Sequence, residues 1–219
     1  MKKSVSVFLL TIILSFSARA ANFEADHWSE GLHLLAGGGL NTAVYSSDDD
    51  HVDGGLGVNL KTDLLYVFHP EWAVEWSANV KFHRMEDNFL LWDTLLTVGL
   101  RTQLPSFYEG MEGTPYARAF VGRAPTVLFL NGETPKGVSD PSTSRIHFDG
   151  PVVGLGWGIL KKNSKGQVWF TEIAATAQTL ESEEDVMMDG EVPLVLSRNQ
   201  VTNNARIYSI AVTFGILAF

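Results

Sequence analysis

The sequence predicts an all-β chain: an eight-stranded antiparallel transmembrane β-barrel with short periplasmic turns and longer extracellular loops. Three observations lead there. Eight segments of strand-like alternation follow one another, most of them 11 to 17 residues long. Strands of ordinary soluble sheets run to about 5–6 residues, whereas a membrane-crossing strand needs about 9–11. Beyond Ala20, Lys, Asp, Glu or Arg interrupts the apolar stretches every few residues, which argues against a membrane helix. The last segment, ARIYSIAVTFGILAF, alternates apolar residues with small or polar ones and ends on Phe219. Such a strand suits a barrel that closes on itself in lipid, where an unpaired edge would leave backbone groups unsatisfied.

The chain opens with the pattern of a cleaved secretory signal peptide over residues 1–20. Lys2 and Lys3 form a positive leader, Val7–Phe16 is a short apolar run, and Ala18-Arg19-Ala20 is a small-x-small cleavage site. The run is too short to span a bilayer as a helix. The remaining 199 residues, 21–219, fit one domain. There are no cysteines, so an exported domain of this kind is held by its core or by the membrane.

The strand segments lie near residues 29–45, 55–68, 72–85, 89–104, 116–131, 150–162, 167–180 and 205–219. In the first, Gly37-Gly38-Gly39 reads as close strand packing or a bend, because no helix or Lys-Ser/Thr follows as in a phosphate loop. In the second, Val58, Leu60, Leu64, Tyr66 and Phe68 oppose Asn59, Lys61 and Asp63. The third is the clearest: Trp72, Val74, Trp76, Ala78, Val80 and Phe82 occupy one face, with Ala73, Glu75, Ser77, Asn79, Lys81 and His83 on the other. In the fourth, Leu90, Trp92, Leu96, Val98 and Leu100 oppose Asp93, Thr97 and Arg101. The fifth is less regular; Arg118 and Arg123 differ in parity and Pro125 interrupts, so a bulge or rim position is expected. In the sixth, Val153, Leu155, Trp157 and Ile159 oppose Gly154, Gly156 and Gly158. In the seventh, Trp169, Ile173, Ala175 and Ala177 oppose Glu172, Thr176 and Gln178. In the eighth, Tyr208, Ile210, Val212, Phe214 and Ile216 share a face. Phe219 and Leu217 have the opposite parity, which calls for a bulge near Gly215 or a Phe219 tucked to the periplasmic rim as an assembly signal.

The connections alternate as well. His69-Pro70-Glu71 and Asn163-Ser164-Lys165-Gly166 are tight turns, and Pro105–Pro115 is rich in Gly and Pro. Ser46–Gly54, Gly132–Asp149 and Glu181–Asn204 read as long polar loops, while Glu86-Asp87-Asn88 is short. Long loops on one rim and short turns on the other are the outer-membrane arrangement, and an even strand number puts both termini in the periplasm. A soluble lipocalin-like barrel is the competing fold and would place the charges outside.

The whole chain carries 16 Lys+Arg against 25 Asp+Glu, a net charge of −9. Without Lys2, Lys3 and Arg19 the balance is 13 against 25, or −12, which excludes nucleic acid as a partner.

The signal peptide, the eight strands, HPEWAVEWSA, TPYARAFVG, GPVVGLGWGI and the terminal Phe219 together resemble the OmpA/OmpX-like family of small outer-membrane β-barrels. The resemblance covers the whole exported chain and implies a Gram-negative outer membrane and a monomer. It implies lipid and lipopolysaccharide as surroundings, and barrel assembly machinery that reads the C-terminal strand. The family includes adhesion, structural and protective proteins and has no shared catalytic signature.

Four sets of residues have chemical potential. The inward polar set is Asn59, Lys61, Asp63, Glu75, Asn79, Lys81, His83, Asp93, Arg101 and Glu172. Buried charges cost several kcal/mol unless paired, and eight strands enclose only enough room for side chains. The expected role is a salt-bridged plug; a narrow pore or transporter for small or hydrophobic solutes is the alternative. Asp48, Asp49, Asp50 and Asp53, with the acidic run Glu181–Glu191, offer oxygen ligands to a divalent cation. DDDHVDGG lacks EF-hand spacing, so a solvated surface is expected and no metal or cofactor is assigned. Among lipid A enzymes of this architecture, a deacylase resembling this fold uses a His-x-Ser pair on a late strand. The pair here is His27-Trp28-Ser29, ahead of the first strand, and His83 and Ser77 lie six residues apart on one inward face, so no catalysis is expected. The tryptophans mostly fall on apolar faces, as interfacial girdles do.

Overall fold

The computed structural model describes residues 30–47, 52–85, 90–107, 111–129, 145–182 and 204–218. The expected signal peptide over residues 1–20, the Asp48-Asp49-Asp50 run, His27-Trp28-Ser29, the acidic run beyond residue 182 and Phe219 lie outside them. The strands are β1 (Gly31–Ser47), β2 (Val52–His69), β3 (Trp72–Met85), β4 (Leu90–Gln103), β5 (Thr114–Arg123), β6 (Thr126–Phe129), β7 (Arg145–Asp149), β8 (Pro151–Lys162), β9 (Val168–Ser182) and β10 (Asn204–Leu217). They pair antiparallel in the order β10-β1-β2-β3-β4-β5-β8-β9, and β9 pairs back onto β10. The sheet therefore closes and has no free edge in its wall.

Ten strands make eight staves. β5 and β6 both pair with β4, from Leu96↔Arg123 to Asp93↔Thr126, with equal spacing on the two sides. β7 and β8 both pair with β9 in the same way, through Asp149↔Glu181 and Val152↔Gln178. The expected bulge around Pro125 is thus absent: the register runs straight through. The breaks fall where Pro125 and Pro151 have no N–H to give. Across the gap, Thr94 N donates to Pro125 O at 3.0 Å and Ala124 N to Gly150 O at 2.9 Å.

Two expected loops are shorter than their sequence suggests. β1 and β2 continue to Ser46↔Val52, so Val52 and Asp53 belong to a strand and not to a loop. Arg145–Asp149, expected within a loop, is strand β7. The bulge expected near Gly215 is not found: β1 and β10 pair without a shift from Leu35↔Leu217 to Ser47↔Ala205. Leu217 keeps its inward phase and packs on the apolar cluster at that end of the barrel. Gly39 marks a close approach of strands, since a Cβ there would lie 1.8 Å from Val212 O.

The two faces of the wall divide by parity as expected, with no reversal. The outside is apolar: Leu60 is 63% exposed, Trp76 50% and Ile210 52%, and Trp92, Trp157 and Trp169 also stand outward. Phe82 and Trp92 pack at 5.2 Å between ring centroids and Trp92 stacks on Phe129 at 6.4 Å, an aromatic row near the loop rim. The inside holds the charges. This is the inverse of a soluble lipocalin-like barrel.

An exterior that faces hydrocarbon sets a clear expectation for Leu60→Arg. In lipid vesicles its unfolding by urea should be easier by about 2–4 kcal/mol, whereas a solvated exterior would absorb the change within about 0.5 kcal/mol.

Candidate functional site

The interior is layered along the barrel. At the loop rim, Tyr45, Met85, Leu91, Leu128, Phe148, Leu180 and Ile207 form a buried apolar cluster. At the turn rim, Leu35, Leu65, Val67, Tyr116, Leu160, Val168 and Phe170 form another. Between them lies the polar layer, and Asp63, Glu75, Asp93 and Arg101 in it have 0% exposure.

The centre of this layer is an ion lock of three cations and three anions. Arg101 Nη2 lies 2.8 Å from Asp63 Oδ2 and 2.6 Å from Glu75 Oε2, and its Nε donates to Glu75 at 2.8 Å. Lys61 Nζ bridges Asp63 Oδ2 at 2.8 Å and Glu172 Oε1 at 2.6 Å. Arg118 pairs with Glu75 through Nη1 and reaches Glu172 Oε1 at 2.9 Å through Nη2. Neutral donors complete the carboxylates: Ser77 Oγ donates to Asp63 at 2.6 Å and Tyr116 Oη to Glu172 at 3.0 Å. The charges balance, and each anion meets at least two cations or donors. That is the condition under which buried ions are tolerated.

Alternation within the strands builds the lock. Lys61 and Asp63 sit two apart on β2, and Asp63 faces Ser77 across β3. Arg101 on β4 and Arg118 on β5 are register partners. Arg118 and its neighbours need room, and β8 supplies it. Tyr116↔Gly158, Arg118↔Gly156 and Phe120↔Gly154 are consecutive inward pairs. A Cβ on Gly156 would lie 2.8 Å from Arg118 Nε, and one on Gly158 would lie 2.5 Å from the Tyr116 ring. The vacated volume lets Arg118 lie over the Phe120 ring at 4.2 Å and Arg101 over Tyr116 at 4.5 Å.

Toward the loop rim the polar layer is looser. Lys81 and Asp93 are register partners, yet each ion is held by neutral groups. Lys81 Nζ donates to Ser209 Oγ at 2.6 Å and Thr176 Oγ1 at 3.2 Å. Asp93 accepts from Gln178 Nε2 at 2.6 Å and Thr126 Oγ1 at 3.1 Å. Asn59 donates to Thr213 Oγ1 at 2.9 Å, and Asn79 and His83 are buried inward.

The inward set expected from sequence thus comes together: Lys61, Asp63, Glu75, Arg101 and Glu172 in the lock, Lys81 and Asp93 above it. Two members were missed. Arg118 was obscured by the opposite parity of Arg123, which points outward and pairs with Asp149 at 2.5 Å. Tyr116 carried no charge to mark it. The Gly154/Gly156/Gly158 row was the available signal, because three small residues in phase imply large partners opposite. Asp53, expected among loop ligands, is buried on the inward face. Among the described residues no group of three or more His, Asp or Glu is arranged to hold a metal ion. Ser77 is committed to Asp63, so it does not form a nucleophile–base pair with His83.

Seven chains of solved structure match this one. Neisserial surface protein A (NspA) is 12% identical with a TM-score of 0.45, over 87% of this chain and 99% of that one. The outer membrane protein OprG from Pseudomonas aeruginosa is 12% identical with a TM-score of 0.44, over 86% and 96%. No family model and no curated protein matches the chain.

A charge-removing, shape-keeping change tests the lock. Glu172→Gln leaves Lys61 and Arg118 short of an anion and should cost about 3–5 kcal/mol in urea unfolding. Ile173→Leu on the outer face beside it should cost under about 1.5 kcal/mol, as swaps of equal volume do.

Proposed function

We propose that this chain is a small, monomeric outer-membrane barrel of OmpA/OmpX-like kind, a sealed scaffold that holds acidic extracellular loops at the cell surface. One observation carries the reading: the polar layer is closed by apolar clusters at both rims and filled by mutually bonded ions. A conducting path needs polar groups that exchange partners with water. Here the carboxylates of Asp63, Glu75 and Glu172 take their bonds from Lys61, Arg101, Arg118, Ser77 and Tyr116 and not from water.

The outer-membrane location rests on the closed ladder and the apolar exterior with its tryptophans. A closed barrel is one of the two structures that satisfy every backbone group in lipid. In this reading lipid and lipopolysaccharide surround the wall, barrel assembly machinery engages the C-terminal strand, and the long loops meet an extracellular partner. No catalytic role is assigned.

Planar-bilayer recordings of the refolded protein test the sealed interior. A flat baseline is expected at moderate voltage. Reproducible ohmic steps would overturn the scaffold in favour of a pore.

A further inference from the structure

Acidic residues outnumber basic ones in this chain, 25 to 16, yet three lysines gather at one turn. The end of β8 and the β8–β9 turn carry Lys161, Lys162 and Lys165 within five residues, all exposed. This turn is built rather than loose. Asn163 Oδ1 accepts from Lys165 N at 2.9 Å and Gln167 N at 3.0 Å, and Asn163 Nδ2 donates to Gln167 Oε1 at 3.1 Å. Asn163 N donates to Gln167 O at 2.9 Å and Gly166 N to Asn163 O at 3.0 Å. Gly166 takes φ +81°, a left-handed conformation that favours glycine, and so closes the turn. The lysines therefore leave a fixed platform.

Aromatic rings of the outer wall lie beside them. Lys161 and Trp169 are register partners across β8 and β9. Trp157 stands four residues before Lys161 on the same outward face, and Phe107 from the β4–β5 turn packs on it at 6.2 Å between centroids. Phe107 itself is 60% exposed. Glu112 forms an exposed ion pair with Lys161, and this ammonium holds the Glu112 carboxyl below its usual range. Lys162 and Lys165 have no such partner among the described residues.

Tryptophans at the hydrocarbon boundary with lysines just beyond them match a phospholipid: rings at the level of the ester groups, ammonium groups at the phosphate. We propose that the β8–β9 turn, with Trp157, Trp169 and Phe107, is a headgroup site for an anionic glycerophospholipid on the turn side of the bilayer. Charge decides the class: a zwitterionic headgroup brings its own cation and gains little from these lysines, whereas an anionic one gains from each that is unpaired and turned to the bilayer. The site rests on the membrane reading above, since its ligand must lie in the bilayer around the barrel.

The test is lipid selectivity of the refolded full chain, measured by electron paramagnetic resonance with spin-labelled phosphatidylglycerol against spin-labelled phosphatidylcholine. The wild type should prefer phosphatidylglycerol by roughly fivefold, the scale of one well-placed lysine at an anionic surface, because Lys161 is paired with Glu112 and Lys162 has the inward phase of β8. In K161Q/K162Q/K165Q the preference should fall to about one. Glu112→Gln, which frees Lys161, should raise it and so tests the site independently of how the triple variant folds. A folded wild type without preference, or a preference unchanged in the triple variant, would overturn the site. Failure of the wild-type chain to enter vesicles at all would overturn the membrane reading, and the site with it.

Discussion

Six ionised side chains packed away from water set the terms for the rest of this barrel. Lys61, Arg101, Arg118, Asp63, Glu75 and Glu172 come from five strands and meet within hydrogen-bonding distance. Each would be costly alone, and each is tolerated because the others are in place. The lock therefore depends on register. A slip of one residue in any of these strands would turn its charge out through the wall and an apolar residue in. The continuous register of β1 with β10, and through the proline breaks of β5–β6 and β7–β8, is what that demand looks like in the backbone; the shift in the β2–β3 ladder, between Val67 and His69, falls at the turn, beyond the lock.

Volume follows from the same constraint. Two guanidinium groups and two aromatic rings occupy one side of a narrow interior, and the space comes from the glycines of β8. The apolar clusters at the two rims then separate the ions from bulk water, which strengthens every pair between them. Outside, the wall has nothing to gain from polarity, and its Leu, Val, Ile and Trp side chains face the surroundings. Sealed core and apolar exterior are two consequences of one inverted alternation.

That alternation was the legible part. β3 is bounded by sequence at Trp72 and Met85, where the structure also bounds it, because a strict period of two with tryptophans at one phase has few other readings. Asp63, Glu75, Arg101 and Glu172 were placed inside by parity alone. What parity could not show was pairing across strands. Arg118 joins the lock only once β5 and β8 are seen in register, and Asp53 leaves the loop only once β1 is seen to extend to it. Polar composition was also a poor guide to strand ends. Arg145–Asp149 reads as loop by its residues, yet the ladder continues through it, since neighbours on both sides offer bonds. The phase of Leu217 needed no bulge, because the turn-side interior is apolar and has room for it.

The most direct measurement uses the absence of cysteine from the sequence. Single cysteines placed in turn from Trp76 to His83 on β3, spin-labelled in the refolded protein in vesicles, report which medium each position meets. Even positions should show high collision rates with oxygen, which concentrates in hydrocarbon, and odd positions should be closed both to oxygen and to a water-soluble nickel chelate. Odd positions open to the chelate, or a loss of the alternation, would contradict a sealed barrel with its charges inside.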